Sequence, residues 1–242
     1  MTGNDLPPLH AHTPEAIARR LADVRMPSVL KDLVFGGIDG AVTTLAIVAG
    51  VQGAGFSYTV IIALGLANIL ADGFSMAAGN FAGTRAEAED VARLRAIEGD
   101  HIRRDPDGER EELRQILAGK GLSGDALEQA VAAISSRESA WIDMMLVDEY
   151  GVSPLAPAPL RAALATFVAF MMAGIVPLAP FLLGFEQAFA LSLGMTFTVF
   201  VFIGAIRGIW SMRSSWWTAA ETVLIGGIAA SIAYLIGGLF NG

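Results

Sequence analysis

Between Leu70 and Arg95 the chain reads Leu70-Ala-Asp-Gly-Phe-Ser-Met-Ala-Ala-Gly-Asn-Phe-Ala-Gly-Thr84 and runs straight on into Arg85-Ala-Glu-Ala-Glu-Asp-Val-Ala-Arg-Leu-Arg95. No proline separates the small, apolar first part from the second, in which six of eleven side chains are charged. A helix carried across that junction must leave a bilayer and continue into water. In hydrocarbon only a helix satisfies its own backbone, and nothing at Thr84 tells this one to stop. Upstream, Leu33 to Thr84 runs for 52 residues with only two charged side chains, Asp39 and Asp72. Downstream, the 66 residues from Arg85 to Tyr150 hold 16 of the chain's 24 acids against nine basic residues. That is −7 of the net −8, so the acidity is local and says little about the remainder.

The composition of the whole chain agrees. With 54% hydrophobic residues in 242, 27 glycines and a mean hydropathy of +0.55, it is too apolar for an ordinary soluble domain. A span takes about 20 mostly apolar residues, and stretches near 33–55, 57–83, 160–184, 186–206 and 217–239 qualify. The expected fold is all-α, a polytopic membrane protein with five transmembrane helices and a three-helix insert between spans 2 and 3. Its units are a leader (1–31), spans 1 and 2 (32–84), a helical domain (85–152) and spans 3 to 5 (153–242). Lys and Arg near span ends are retained in the cytoplasm. Arg19, Arg20, Arg25 and Lys31 precede span 1, nine basic residues lie in the insert, and Arg207 and Arg213 lie between spans 4 and 5. The opposite loops, 52–57 and 184–187, contain none. The N-terminus and the insert are therefore expected in the cytoplasm and the C-terminus outside. The leader is polar with four prolines and does not read as a secretory signal. The absence of an organelle-targeting leader, together with the short chain, suits a bacterial inner membrane.

Inside the insert, Arg85 to Arg104 is expected to continue span 2. Asp105-Pro-Asp-Gly108 reads as a turn and start signal, Glu109 to Gly119 as a short helix, and a third helix runs from Ser123 or Asp125 to Tyr150. Small residues crowd spans 1 and 2, which should pack tightly against each other or across an oligomer interface. Pro177 and Pro180 in span 3 either open carbonyls to a polar cavity or make a packing kink. Pro14 to Val24 reads as a short amphipathic piece. His10 and His12 form an H-x-H pair, expected to be an exposed bystander.

With no cysteine, disulfides, thiolate metal sites and cysteine nucleophiles are excluded. Any metal must be held by oxygen, imidazole or thioether ligands. Asp39 lies in span 1, where a carboxylate costs about 2.5–3.5 kcal/mol on insertion scales and so faces a cavity, a partner or a permeating ion. No basic residue in spans 1 or 2 neutralises it. In span 2, Asn68, Asp72, Met76 and Asn80 recur every fourth residue and share one helix face, with Ser75 beside them. A thioether in that stripe favours a soft transition metal over Mg²⁺ or Ca²⁺. In the insert, Glu98 and His101, Glu109 and Glu112, and Met145 and Glu149 are pairs three or four apart that can each point from one face. Glu98 to His101 is also a Glu-x-x-His spacing of the kind di-iron bundles use. Acidic helices produce such pairs often, and a charge run is usually a solvated face.

Three strings resemble the vacuolar iron transporter family over residues 31 to 240. They are Asp32-Leu-Val-Phe-Gly-Gly-Ile-Asp-Gly-Ala-Val-Thr-Thr44, Gly65-Leu-Ala-Asn-Ile-Leu-Ala-Asp-Gly-Phe-Ser-Met-Ala-Ala-Gly-Asn80, and Trp141-Ile-Asp-Met-Met145 ahead of Asp148-Glu-Tyr-Gly151. The resemblance implies a homodimer with five spans per subunit that exports Fe²⁺, and often Mn²⁺, from the cytoplasm in exchange for protons. It implies a pathway at the dimer interface that uses Asp39 and Met76, and a cytoplasmic domain that collects metal through Glu98, Glu109, Glu112, Met145 and Glu149. The metal is then substrate and insert ligand (Fe²⁺, or Mn²⁺, Zn²⁺ or Co²⁺), with no tightly bound cofactor. The other partners are protons and the lipid bilayer, and no nucleic acid is expected. This chain departs from the family pattern in three places. His101 stands where a glutamate is usual, Leu146 where a second methionine often follows Met145, and Asn80 where an acid is common. The leading expectation is a secondary transporter rather than an enzyme. The alternatives are a membrane-anchored di-iron oxidase or iron-storage module, and a sensory protein that binds a partner through the acidic insert.

Overall fold

A computed structural model describes residues 11–22, 28–155, 157–209 and 214–241. His10, Arg25 and Arg213 lie outside the described residues. Those described form nine α-helices and no strand. The five long apolar ones are α2 (Leu30–Gly53), the first half of α3 (Tyr58–Arg104), α7 (Pro159–Leu182), α8 (Ala188–Ile209) and α9 (Ser215–Gly238), each long and apolar enough to cross a membrane. Before them lies α1 (Pro14–Ala22), a single amphipathic piece whose Ala16 N–H is capped by Thr13 Oγ1 at 3.2 Å. The insert adds α4 (Pro106–Gly119), α5 (Gly124–Ser135) and α6 (Glu138–Asp148).

The continuity expected at Thr84 is observed: α3 is one helix of 47 residues. At 1.5 Å per residue it is about 70 Å long, so roughly half of it stands clear of a 30 Å hydrocarbon core. It ends at Arg104. There Asp105 caps α4 by accepting from Gly108 N–H at 3.0 Å, with Pro106 at the first helical position. The expected four-residue turn is thus a single residue, and α4 starts three residues earlier than expected.

The third insert helix is not one helix. It divides into α5 and α6 at Ser136-Arg137, where Arg137 is extended (φ −127°, ψ 100°). Ser135 and Ser136 donate their hydroxyls back to the carbonyls of Ala132 and Ala133 at 3.5 and 2.7 Å, a local competition that ends helices. The insert closes around two apolar clusters. One joins Leu113, Leu117, Val131, Trp141 and Met145, and the other joins Leu94, Ile142 and Leu146. Arg95 to Asp143 (2.6 Å) and Lys120 to Asp148 (2.6 Å) tie α6 to α3 and to the end of α4.

In the apolar half, α7 is the centre and packs chiefly on α2 and α3, while α9 packs on α2 and α8. This changes the reading of the small residues in spans 1 and 2, because they serve α7 and α9 more than each other. A Cβ at Gly36 or Gly40 would run into the backbone of Thr166 and Phe170 on α7, and one at Gly53 would meet Tyr234 on α9. On α3, Gly65 and Gly73 face Leu178 and Phe170 of α7, whereas Gly79 and Gly83 face open space. The α7 prolines resolve towards packing. Pro177 and Pro180 are buried in a helix that continues through them, and Ser192 Oγ donates to the Pro177 carbonyl at 2.7 Å.

Candidate functional site

Asp39 sits two and a half turns into α2 and lines an open cleft of about 640 Å³ together with Lys31, Phe35, Ile38, Val42, Arg207 and Ile225. Asp72 of α3 lies within Coulombic range of it. The surroundings of Asp39 are therefore less uncharged than spans 1 and 2 suggest, since α8 brings Arg207 to the same cleft. That guanidinium is held by Glu221 of α9 at 3.3 Å. A short chain of donors joins the two acid-bearing helices. Asn68 Nδ2 donates to Thr43 Oγ1 at 3.4 Å, and Thr43 donates to the Asp39 carbonyl at 2.9 Å.

Asp72 itself is exposed on this single copy, between Leu70 and Phe74, which are 59% and 69% exposed. A carboxylate left facing acyl chains is costly, so this face of α3 calls for water or a partner. Met76 follows one turn on and is half-buried. Asn80, the last member of the stripe, has a different setting. Its Nδ2 donates to Asp32 Oδ1 (2.8 Å) and Thr166 Oγ1 (2.7 Å), and its Oδ1 accepts from Thr84 (3.2 Å), so it joins α2, α3 and α7. It lines a second cavity of about 380 Å³ with Asp32, Thr84 and Glu87, where α3 leaves the apolar layer.

In the insert, the end of α3 and the start of α4 bring Glu98, His101 and Glu109 together. His101 Nδ1 is 3.8 Å from Glu98 Oε1 and 3.4 Å from Glu109 Oε1. Both glutamates are buried, 1% and 6% exposed, and the second carboxylate oxygen of each has no hydrogen-bond partner. Burying an unsatisfied carboxylate oxygen is expensive, and a cation is the natural way to satisfy it. Burial, reinforced by the carboxylates of Glu98 and Glu112, pushes Glu109 up to about 7, with His101 opposing. Glu149 is pushed up for the same reasons, so Glu112 and Glu149 belong to the cluster electrostatically although both are exposed. Among the described residues no three His, Asp or Glu side chains are drawn tightly enough together to chelate an ion as they stand. Met145 is fully buried in the apolar cluster with Leu113 and Trp141, where it is first a packing residue.

The sequence pattern of the VIT family matches residues 30–238. The chain belongs to the VIT family. Similar proteins include a vacuolar iron transporter 1 from Eucalyptus grandis, 30% identical over 211 residues, covering 85% of this chain and 84% of that one. One of the same name from Oryza sativa subsp. japonica is 30% identical over 85% of this chain and 83% of its own. A vacuolar iron transporter from Toxoplasma gondii is 31% identical over 88% of this chain and 74% of its own.

Helical spacing alone missed three residues at the sites of this VIT-family protein. Asp32, one heptad before Asp39, is the acid that Asn80 holds. Its place in the first turn of an apolar helix was the available signal. Thr43 is four residues past Asp39 on the same helix, but a threonine in a span is ordinarily unremarked. Tyr150 donates to Glu98 Oε1 at 2.9 Å from beyond the end of α6, where no periodicity applies.

Proposed function

We propose that this protein exports divalent transition metal from the cytoplasm in exchange for protons, with Fe²⁺ the main substrate and Mn²⁺ a second, and that it works as a homodimer. The observation that carries this reading is the Asp39 and Asp72 pair. Two carboxylates lie within Coulombic range on apolar helices, and one of them is exposed where a single copy would meet lipid. A divalent cation passing between them would relieve their repulsion, and protons would replace it on the return. A second copy laid against α3 would take Asp72 out of lipid and turn its stripe into a pathway. The names of the VIT-family relatives support iron as the cargo.

The distribution of basic residues supports a cytoplasmic insert, so Glu98, His101, Glu109, Glu112 and Glu149 would collect the ion before it reaches Asp39. In a bacterial inner membrane that orientation carries metal out of the cell. The di-iron alternative needs a second Glu-x-x-His pair, and the remaining histidines, His10 and His12, are both in the leader. Proteoliposomes with an acidic lumen and Fe²⁺ outside under anaerobic conditions test the mechanism. Wild type should accumulate metal as the proton gradient collapses, and Asp39→Ala should fall to the protein-free background. Equal uptake by the two would refute proton-coupled transport through Asp39.

A further inference from the structure

Beside the candidate ligand Glu149, Tyr150 reaches back to the buried Glu98. Glu98 is buried, with one oxygen partnered and the other not. The partner of Oε1 is the Tyr150 hydroxyl at 2.9 Å. A carboxylate held at one oxygen by a phenol cannot rotate freely, so its other oxygen is directed to a fixed place. His101 Nδ1 lies 3.8 Å from that same Glu98 Oε1 and 3.4 Å from Glu109 Oε1, which leaves Oε2 of each glutamate buried and without a partner.

The phenol is itself well fixed. Its ring packs on the cluster of Leu94, Ile142 and Leu146, and its backbone N–H donates to the Met145 carbonyl at 3.3 Å. Just beyond it, the Val152 N–H donates to the Leu146 carbonyl at 2.9 Å. Arg95, already paired with Asp143, reaches the Pro154 carbonyl at 3.5 Å. The segment that carries Tyr150 out of the insert is thus pinned on both sides of the ring.

We propose that Tyr150 is a positioning residue of the insert metal site: its hydroxyl clamps Glu98 Oε1 and aims Oε2 at a divalent transition-metal ion shared with Glu109 and His101. The proposal rests on the reading of the insert as a metal-collecting domain and adds the group that orients its buried ligand. Partners of this kind, which touch the ligand and not the metal, typically change metal affinity 10- to 100-fold. A phenol also serves here because it donates one proton without adding charge to an already crowded set of carboxylates.

The test uses the full-length protein in detergent micelles and Co²⁺ as the probe, with Glu98→Gln defining the contribution of the insert. Wild type is expected to bind Co²⁺ by calorimetry in a Glu98-dependent manner, and Tyr150→Phe to bind it about ten-fold or more weakly. The phenylalanine keeps the ring and its packing, so the metal-free melting curve should show a folded insert. A second readout does not depend on the variant folding. Of the three tyrosines, Tyr58 and Tyr234 lie in apolar helices, so a near-ultraviolet tyrosine difference band on adding Co²⁺ reports Tyr150. The band should appear in wild type and be absent in Glu98→Gln. Glu98-dependent binding with no tyrosine band, or with wild-type affinity in Tyr150→Phe, overturns the role of Tyr150 and leaves the collecting site standing. Co²⁺ binding that ignores Glu98 overturns the collecting site and this inference with it.

Discussion

At the scale of single residues, the clearest consequence is electrostatic. Glu109 rises from 4.5 to about 7 in the folded insert, so between those values the native state binds a proton that the unfolded chain releases. Its contribution to stability is fully present below 4.5 and is lost as the pH rises through about 7. The upward shift of Glu149 acts in the same direction. Glu111 and Glu128, held low first by their hydrogen bonds to Gln115 and Arg114, work oppositely, but in the acid range below 4.5. The metal-free protein should therefore melt at a lower temperature at pH 8 than at pH 5. Glu109→Gln should flatten that slope, and Mn²⁺ should raise the wild-type melting temperature more at pH 8 than at pH 5. A transition temperature that climbs with pH across this window would contradict the assignment. Asn80 makes a second prediction. Asn80→Leu strips Asp32 and Thr166 of their shared donor where three helices meet, at a cost of about 1–3 kcal/mol for the groups left behind. Thermal unfolding in detergent should show the loss.

At the scale of elements, α2 and α3 use their glycines differently. At Gly40 a Cβ meets the backbone of Phe170, which cannot turn aside as a flexible side chain would. Gly40→Ala should cost about 1–3 kcal/mol, the usual range for overpacking, and appear as poor yield and a lowered melting temperature. A Cβ at Gly79 would meet nothing within 4 Å, so Gly79→Trp should be tolerated by the single chain better than any side chain at Gly40. If a second copy covers this face of α3, the same substitution should shift the protein from dimer to monomer in light scattering behind size exclusion. A dimer unmoved by Gly79→Trp would place the interface elsewhere. Both helices looked alike in sequence, as small-residue spans. Only the neighbours distinguish them, because a glycine requires close approach when a backbone lies opposite it and requires nothing when it faces open space.

At the scale of the whole molecule, the continuous α3 is the mechanical link, since Asp72 and Glu98 lie on one helix of 47 residues. Ala86→Pro removes a backbone donor just past the apolar segment and kinks the helix there. Metal binding at the insert should survive, while transport in proteoliposomes should fall, so the two activities separate. If both persist, the insert does not depend on α3 for delivery. The number of spans, the continuous helix and the five-helix apolar layer were legible in the chain, because runs of apolar residues and the absence of breakers act locally along the backbone. Asp39, Asp72 and Glu98 were legible for a related reason, since a carboxylate stands out wherever its surroundings are apolar or periodic. What needed the tertiary structure was every pairing at a distance. Met145 read as a ligand by its spacing to Glu149, yet the fold of α4 and α5 wraps it in leucines. Asn80 read as part of a stripe, yet α7 and the first turn of α2 turn it into a joint. Tyr150 read as the end of a helix, yet the return of the chain sets its hydroxyl on Glu98. The sequence by itself determined which segments enter the membrane, because transfer free energy depends on the residues of each segment alone. Which polar groups meet was decided by the tertiary structure, because those contacts join residues far apart in the chain, 86 positions for Asn80 and Thr166, and no local period encodes them.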